Sequence, residues 1–221
     1  MDRANDIASV MKRIDEFLYD PKKLPFRGWY DDHPSFASTP SGPYRGAIQQ
    51  VRSEFEELLR RALAQGLHGT AVQIGLGITG GTHFALRQVF DRVISIDINP
   101  ENIARFKSFH TPDPQRDIIV HGSSRDMGIV NQVQQMARGS DLLFIDGGHL
   151  FDEVRADWAL YGDIVRPGGF ACFHDHVPRP ARYHELQIDI FLTWLEHQPG
   201  WPKSVPIHRI GNTLGVAYYV V

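Results

Sequence analysis

The sequence predicts an α/β fold in which a doubly wound, mostly parallel sheet carries helices on both faces. Short apolar segments that are typical of buried strands alternate with segments of helical periodicity. A polar cluster follows nearly every one of these apolar segments. Strands that alternate with helices form parallel sheets, and ligands of such sheets bind beyond the carboxyl ends of the strands. We therefore expect a ligand site along that edge.

The overall composition is that of an ordinary globular chain. Its 221 residues are 42% hydrophobic and 22% charged, with a net charge of −3. This charge gives no electrostatic basis for a nucleic-acid partner, and no apolar run approaches the roughly 18 residues of a membrane span. The polar N-terminus lacks a signal-peptide core. The single cysteine, Cys172, lies in an apolar run and excludes an internal disulfide. We expect a cytoplasmic protein.

Residues 1–45 are predicted to form a helix and then a long irregular segment. Apolar residues from Ile7 to Phe17 recur at helical spacing, so a helix is expected within residues 3–19. It would pack on the body of the protein or on a second subunit, as in a homodimer. Five prolines interrupt residues 20–45 among aromatic residues. A loop of this length is typically a lid or binding loop. We therefore divide the chain into residues 1–45, with helix and lid, and a ligand-binding domain at residues 46–221.

A glycine-rich turn at residues 75–82 lies between two predicted strands, 70–74 and 92–96. Glycines let the backbone turn tightly and approach a ligand, and the N-terminus of the following helix favours an anionic group. Asp97, at the end of the second strand, can take two ribose hydroxyls. The spacing Gly75-x-Gly77-x-x-Gly80 with Asp97 also matches the dinucleotide fingerprint. The residues alone leave open which nucleoside binds, and whether the glycines serve only a tight turn.

The rest of the chain continues the alternation of strands and helices. A helix is expected before the first strand, at residues 46–65, and further helices follow each later strand. Gly211-Asn212 predicts a closing hairpin that adds antiparallel strands at one edge. The further strands are expected at residues 118–120, 141–145, 170–173, 205–207 and 214–221. Three polar clusters follow them, at residues 123–126, 146–149 and 174–176.

These motifs resemble the class I S-adenosylmethionine-dependent methyltransferases over residues 70–176. The resemblance rests on Val72-Gln-Ile-Gly-x-Gly77, Asp97, Asp141-Leu-Leu-Phe-Ile-Asp-Gly-Gly-His149 and Arg166-Pro-Gly-Gly169. Ile145-Asp-Gly-Gly-His149 with Phe173-His-Asp175 is similar to the small bacterial cephalosporin-hydroxylase-like and macrolide-sugar O-methyltransferases, which resemble the catechol O-methyltransferases. The resemblance implies a Rossmann-like, seven-stranded sheet with a C-terminal antiparallel hairpin, and S-adenosylmethionine as the cofactor.

The resemblance also implies roles for individual residues. Asp97 would hold the ribose hydroxyls, Ile98 would pack on the adenine, and Asp146 would lie under the methyl-transfer centre. Gln73 stands where the family usually has an acidic residue, so the charge attraction to the cofactor's ammonium group is absent. The other residues implied to bind the cofactor are Gly75, Gly77, Thr79, Gly80, Gly81, Thr82, Ser123, Ser124 and Arg125.

Two chemical groups could activate a hydroxyl acceptor. His149, whose ring titrates near neutral pH, is the candidate base beside Asp146, although it could instead cap the helix that begins near Leu150. Asp146, Asp175 and His176 match the three metal ligands of the catechol-type relatives. Two carboxylates suit magnesium, whereas a histidine better suits manganese or zinc.

The sequence-based prediction is an O-methyltransferase that acts on a small-molecule hydroxyl, on a sugar or secondary metabolite in natural-product biosynthesis. N-methylation remains open as a second possible reaction. Two different functions are also compatible with the sequence: a methyltransferase-fold protein that binds a nucleoside without catalysis, and an NAD-dependent enzyme.

Overall fold

A computed structural model describes residues 6–23, 28–32, 47–178, 186–202 and 204–221 of the chain. Strands β1 to β7 form one sheet with the order β3-β2-β1-β4-β5-β7-β6. β1 to β5 are parallel, and β7 is antiparallel to both β5 and β6. This architecture confirms the predicted fold class. The strands span Thr70–Ile74, Arg92–Asp97, Asp117–His121, Ser140–Ile145, Val165–His174, His208–Ile210 and Val216–Val220.

Helices connect the parallel strands, as the alternation predicts. Asn99 caps the helix after β2 by accepting a hydrogen bond from the Glu101 amide at 2.9 Å, and Pro100 occupies its first turn. Asp126 caps the helix after β3 in the same way. Helices α1 to α7 span Ile7–Leu18, Arg52–Ala64, Gly81–Arg87, Pro100–Phe109, Met127–Ala137, Phe151–Tyr161 and Ile188–Glu196, with short 3₁₀ turns at Pro21–Lys23, Tyr30–Asp32 and Gly162–Ile164.

Apolar side chains bury both faces of the sheet. Ala71 belongs to the core beneath α1, α2 and α3, whereas the adjacent Val72 belongs to the core beneath α5, α6 and α7. Successive residues of a strand point to opposite faces, so a strand buried on both sides is continuously apolar. This explains why the strands of the sequence lack a polar alternation.

The N-terminal helix packs on the body of the protein. Val10, Ile14 and Leu18 of α1 are buried in the same core as Phe55 of α2. Trp29 is also fully buried there, and its indole N–H donates to Asp15 at 2.8 Å. Most of the predicted lid, residues 24–27 and 33–46, lies outside the described residues. The lid, the division at residue 45 and a homodimer therefore remain predictions.

Three boundaries differ from the sequence-based prediction. α2 begins at Arg52 rather than near residue 46, because residues 47–50 form bends that lie against the glycine turn. β5 begins at Val165, so Arg166–Gly169, predicted as a helix end, continues the strand with a register shift. The strands of the closing hairpin lie at 208–210 and 216–220.

A buried carboxylate holds the turn of that hairpin. Glu54 of α2 accepts hydrogen bonds from the amides of Asn212, Thr213 and Gly215 at 2.8–3.0 Å. In the described ranges, no helix combines the length and the apolar character needed to cross a membrane.

Candidate functional site

The carboxyl ends of β1 to β4 surround a cleft of about 380 Å³. Loops from four different strands meet there, as expected for a parallel sheet. The cleft residues include the glycine turn, the end of β2, the loop after β3 and the start of the loop after β4. They are Ile74, Gly75, Gly77, Ile96, Asp97, Ile98, Asn99, Asn102, Gly122, Ser123, Ser124, Arg125, Asp146, Gly147, Gly148 and Glu153.

The glycine turn packs directly against the end of β4. Gly75 has a positive φ of 90°, and a Cβ added to it would overlap the carbonyl oxygen of Asp146. The Asp146 amide in turn donates to the carbonyl of Ile74 at 2.9 Å. A side chain at position 75 would therefore force β1 and β4 apart as well as strain the backbone.

Asp97 organises this turn with its carboxylate. One oxygen accepts from the amides of Leu76 at 3.0 Å and Gly77 at 3.2 Å, and the other accepts from the amide of Asn99 at 2.7 Å. The next residue, Ile98, lines the cleft with an exposed fraction of 69%, large for an apolar side chain. The cleft thus has a carboxylate beside an exposed apolar surface, which fits a ribose and an adjoining base.

The loop after β3 forms another part of the cleft wall. The hydroxyl of Ser124 donates to Asp157 of α6 at 2.6 Å, and the hydroxyl of Tyr161 donates to the Ser124 carbonyl at 2.8 Å. Arg125 lies 3.3 Å from Glu153. Asp157 is 2% exposed, and burial raises its pKa to about 6, against the lowering effects of Ser124 and Arg125. A buried carboxylate thus fixes the position of Ser124.

Two predicted cofactor residues require correction. Gln73 is 1% exposed, and its amide oxygen accepts from Ser95 at 3.0 Å behind the glycine turn, so its side chain does not line the cleft. Thr79 is also buried, and its hydroxyl donates to the carbonyl of Ala47. Both polar side chains are satisfied inside the protein, which the motif spacing could not reveal.

The segment 47–50 covers one side of the glycine turn. Ala47, Ile48 and Gln49 enclose, with the turn and the start of α3, a small cavity of about 10 Å³. The predicted cofactor residues Gly80, Gly81 and Thr82 line this cavity rather than the larger cleft. The segment was predicted as part of a helix, and no local sequence signal marks its position.

Four ionisable side chains cluster where β4 and β5 end. The Asp146 carboxylate lies 2.9 Å from Nδ1 of His174 and 3.9 Å from Nε2 of His149. Asp175 lies 3.3 Å from the same nitrogen of His149 and 3.4 Å from Nδ1 of His174. Among the described residues, Nε2 of His149 and Nε2 of His174 are buried without a hydrogen-bond partner. The cluster therefore holds two carboxylates, two imidazoles and unused polar atoms.

The mutual charges of the cluster shift the pKa values of its members. Burial lowers the pKa of His174, but the charges of Asp146 and Asp175 outweigh it and raise that pKa to about 10. Burial also lowers the pKa of His149. Asp146 and Asp175 outweigh that effect, so the pKa of His149 is raised. Burial raises the pKa of Asp146, yet the positive charge and the hydrogen bond of His174, together with the nearby His149, hold that pKa below its usual value.

The predicted metal ligand His176 does not belong to this cluster. It is 7% exposed, and its Nε2 donates to the carbonyl of Ile210 in β6 at 3.3 Å. His149 takes its place: Asp146, His149 and Asp175 each offer a ligand atom, and these atoms lie within 4.8 Å of one another. The backbone turns at Asp175, which has the positive φ of 59° that is rare for a non-glycine residue. Because of this turn, the side chain of Asp175 lies in the cluster, whereas that of His176 lies against β6.

The sequence analysis assigned no role to two residues at this site. One is His174, the last residue of β5, which lies between two carboxylates. Gln50 donates to the second oxygen of Asp146 at 2.9 Å, and its own amide oxygen is buried without a partner among the described residues. A contact across 96 positions leaves no trace in a local motif.

The donor set fits a divalent cation. Two carboxylates and an imidazole, with an unpaired buried Nε2, form a three-ligand arrangement of the kind that manganese and related metals accept. The cleft likewise fits an adenosyl group, because Asp97 and the exposed Ile98 adjoin the loop at Ser124.

The topology separates two classes of nucleoside-binding fold. A dinucleotide-binding sheet has the order 3-2-1-4-5-6 with parallel strands, whereas here an antiparallel β7 lies between β5 and β6. Together with the glycine turn and Asp97, this arrangement defines the class I methyltransferase fold. Residues 71–176 match the model of a family described as "Methyltransferase domain". This match agrees with the resemblance to the class I S-adenosylmethionine-dependent methyltransferases that the motifs carry.

Solved structures of methyltransferases share the fold at low sequence identity. The O-methyltransferase from Bacillus cereus, in complex with SAH, is 15% identical with a TM-score of 0.56, and the match covers 96% of this chain and 91% of that one. A SAH-bound methyltransferase of Podospora anserina is 11% identical with a TM-score of 0.60, covering 100% and 88%.

MycE, from the mycinamycin biosynthetic pathway, was solved in complex with Mg, SAH and mycinamycin VI. It is 16% identical with a TM-score of 0.54, and the match covers 75% of this chain and 48% of MycE. The chain thus spans about half the length of MycE. No curated protein matches the sequence significantly.

Proposed function

We propose that this protein transfers a methyl group from S-adenosylmethionine to a hydroxyl oxygen of a small molecule, a sugar or another secondary metabolite. The observation that supports this proposal is the position of His149, beside two carboxylates where β4 delivers Asp146 to the cleft. Methylation of a hydroxyl requires that its proton be removed. A positioned base contributes roughly 10²- to 10⁴-fold to such a step.

His149 is suited to take that proton. Its Nε2 faces Asp175 and Asp146, so Nδ1 is the ring nitrogen that remains for the acceptor hydroxyl. The proton makes the ring cationic, and the two carboxylates stabilise that cation, as the carboxylate does in a Ser-His-Asp triad. The positively charged His174 partly neutralises the same carboxylates.

The cofactor supplies a methyl group on a sulfonium sulfur, which an acceptor displaces in line. Asp97 would hold its ribose, Ile98 would cover the base, and the loop at Ser123–Arg125 would border the base edge. The cofactor's amino-acid end would lie along Gly75 and Gly77, near the segment 47–50. The solved neighbours bound to SAH support the choice of S-adenosylmethionine as the cofactor.

A divalent cation is a second way to acidify the acceptor hydroxyl, and Asp146, His149 and Asp175 would be its ligands. The imidazole favours manganese over magnesium at this site, whereas MycE was solved with Mg. In this arrangement Nε2 of His149 is a ligand and the ring is no longer the base. Turnover of EDTA-dialysed protein, with and without added Mn²⁺ or Mg²⁺, distinguishes the two roles.

Calorimetric titration tests the proposal first. We expect micromolar binding of S-adenosylmethionine and S-adenosylhomocysteine and no binding of NAD. Binding of NAD alone would contradict the proposal. Turnover is then measured as release of S-adenosylhomocysteine with hydroxylated acceptors, including mycinamycin VI and a catechol, and with amine analogues. Turnover of the amines alone would indicate N-methylation, and cofactor binding without any turnover would favour a nucleoside-binding protein.

We also propose that the protein acts in the cytoplasm, with a small-molecule acceptor as its partner and no nucleic-acid or membrane partner. The net charge of −3 supports the first exclusion. Light scattering of the purified protein tests the proposed homodimer.

A further inference from the structure

Helix α6 holds Ser124 at two points. Asp157 accepts a hydrogen bond from the Ser124 hydroxyl at 2.6 Å. Tyr161, one helical turn further on, donates a hydrogen bond to the Ser124 carbonyl at 2.8 Å. Both α6 residues are buried, with exposed fractions of 2% and 0%. Ser124 itself is half-buried and lines the cleft. The helix therefore fixes both the position of Ser124 and the direction of its hydroxyl.

The direction of that hydroxyl determines what Ser124 offers a ligand. A hydroxyl has one proton and two lone pairs, and an ionised carboxylate only accepts. Because the proton points to Asp157, the hydroxyl of Ser124 presents only lone pairs to the cleft. The side chain of Arg125 in the same loop is paired with Glu153. The side chain of Ser124 thus acts as an acceptor at this part of the cleft wall.

We propose that Asp157, acting through Ser124, makes the cleft selective for a 6-aminopurine over a 6-oxopurine. The inference rests on the proposed adenosyl cofactor. The base of an adenosyl group has N–H donors only on its 6-amino group, so an acceptor at Ser124 selects that group. A 6-oxo base would place its own lone pairs against those of Ser124 and leave both oxygens unpaired, which costs affinity. Asp157 is a positioning residue in this arrangement.

Asp157 is ionised above neutral pH even though its surroundings raise its pKa. Burial and Glu153 raise its pKa, while Ser124 and Arg125 oppose them, and the result is about 6. Tyr161 on the same helix has a raised pKa because of burial and the charges of Asp157 and Asp126, so it stays a neutral donor. Above pH 7, Asp157 is therefore an acceptor for Ser124.

The test compares two ligands by calorimetry at pH 8, S-adenosylhomocysteine and its 6-oxo analogue S-inosylhomocysteine. We expect the wild-type protein to bind the adenosyl compound about ten- to hundredfold more tightly. In Asp157→Asn, an amide of the same shape offers Ser124 a donor as well as an acceptor, which frees the hydroxyl proton for the ligand. The preference should then fall at least about fivefold, and in Ser124→Ala at least as far.

Tyr161→Phe is the matched control, because it removes the other bond from α6 to the same residue without touching the hydroxyl. It should weaken both ligands equally and leave their ratio unchanged. If the ratio stays at its wild-type value in either Asp157→Asn or Ser124→Ala, Asp157 does not act through Ser124 and the inference is wrong. Should Asp157→Asn not fold, Ser124→Ala decides alone. Failure of the wild-type protein to bind S-adenosylhomocysteine would instead refute the proposed function, and this inference with it.

Discussion

The cleft and the ionisable cluster lie at the same edge of the sheet but are built differently. At the glycine turn, the cleft is shaped by main-chain atoms, with the Asp97 carboxylate holding amides of residues 76, 77 and 99. The cluster, at the ends of β4 and β5, consists of charged side chains that contact one another. Backbone geometry thus determines one region and side-chain charge the other.

This difference separates binding from chemistry. A pocket that depends on the main chain tolerates changes in neighbouring charges, whereas a cluster of coupled charges responds to each of them. Substitutions in the cluster should therefore change turnover and titration while cofactor affinity persists. Substitutions at the turn should do the reverse.

The largest expected effect is on turnover, in His149→Ala. Loss of the base should lower the rate with a hydroxyl acceptor by about 10²- to 10⁴-fold. The affinity for S-adenosylhomocysteine should stay within about threefold of wild type, because His149 is not needed to hold the turn. Steady-state kinetics and calorimetry measure the two quantities. His121→Ala, an exposed histidine at the end of β3, is the control. Full turnover in His149→Ala would show that the base is elsewhere.

Asp97→Ala should produce the next largest effect, on affinity. The substitution leaves the amides of Leu76 and Gly77 without their charged acceptor, so the turn loses its shape. We expect S-adenosylhomocysteine to bind about 100-fold more weakly in calorimetric titrations. Asp97→Asn, which keeps one acceptor oxygen, should give an intermediate loss. An unchanged affinity in the alanine variant would mean that the turn does not depend on this carboxylate.

A third prediction concerns stability beneath the cleft, in Asp157→Asn. The pKa of Asp157 is raised from its usual 3.8 to about 6, so folding favours its protonated form. The carboxylate therefore destabilises the folded protein by about 2–3 kcal/mol above pH 6, and this cost disappears as the pH falls towards 4. The variant should be more stable than wild type in urea at pH 8, with a smaller gain at pH 5.

The exposed Asp152 of the same helix provides the control for that measurement, since its side chain is 84% exposed. Asp152→Asn should change the free energy of unfolding by less than about 0.5 kcal/mol at either pH. A gain from Asp157→Asn that is equal at pH 5 and pH 8 would contradict the raised pKa.

The smallest expected effect is a shift in titration, in Asp175→Asn. Asp175 lies 3.3 Å from Nε2 of His149 and helps to raise its pKa. Removal of this charge should lower the His149 pKa, and NMR titration of EDTA-treated protein measures that change. The base must be neutral, so the rise of turnover with pH should move to lower pH by the same amount. A rise at unchanged pH would mean that another group controls it.

The sequence predicted most of the fold for a physical reason. Strands buried on both faces are continuously apolar, and caps such as Asn99-Pro100 mark helix starts, so the order of elements can be read locally. The same logic placed the loops at Asp97, Ser124 and Asp146 along one edge. A closing hairpin was also predictable, from Gly211-Asn212.

The details of the site were less predictable because they depend on side-chain direction and distant contacts. The left-handed turn at Asp175 determines that His174, and not His176, joins the cluster. Gln73 lies on the strand that enters the glycine turn, yet its side chain accepts a hydrogen bond from Ser95 and does not line the cleft. Gln50 reaches Asp146 from a segment that carries no motif.

The close approach of Gly75 to the Asp146 carbonyl limits how the protein can acquire a new acceptor. Main chain meets main chain there, between two strands that are paired in register. The span between the glycine turn and the loop that carries His149 therefore cannot be lengthened without parting β1 from β4. Under the proposed function, larger or smaller acceptors must be accommodated by the loops around the cleft, while the distance from the glycine turn to His149 stays constant.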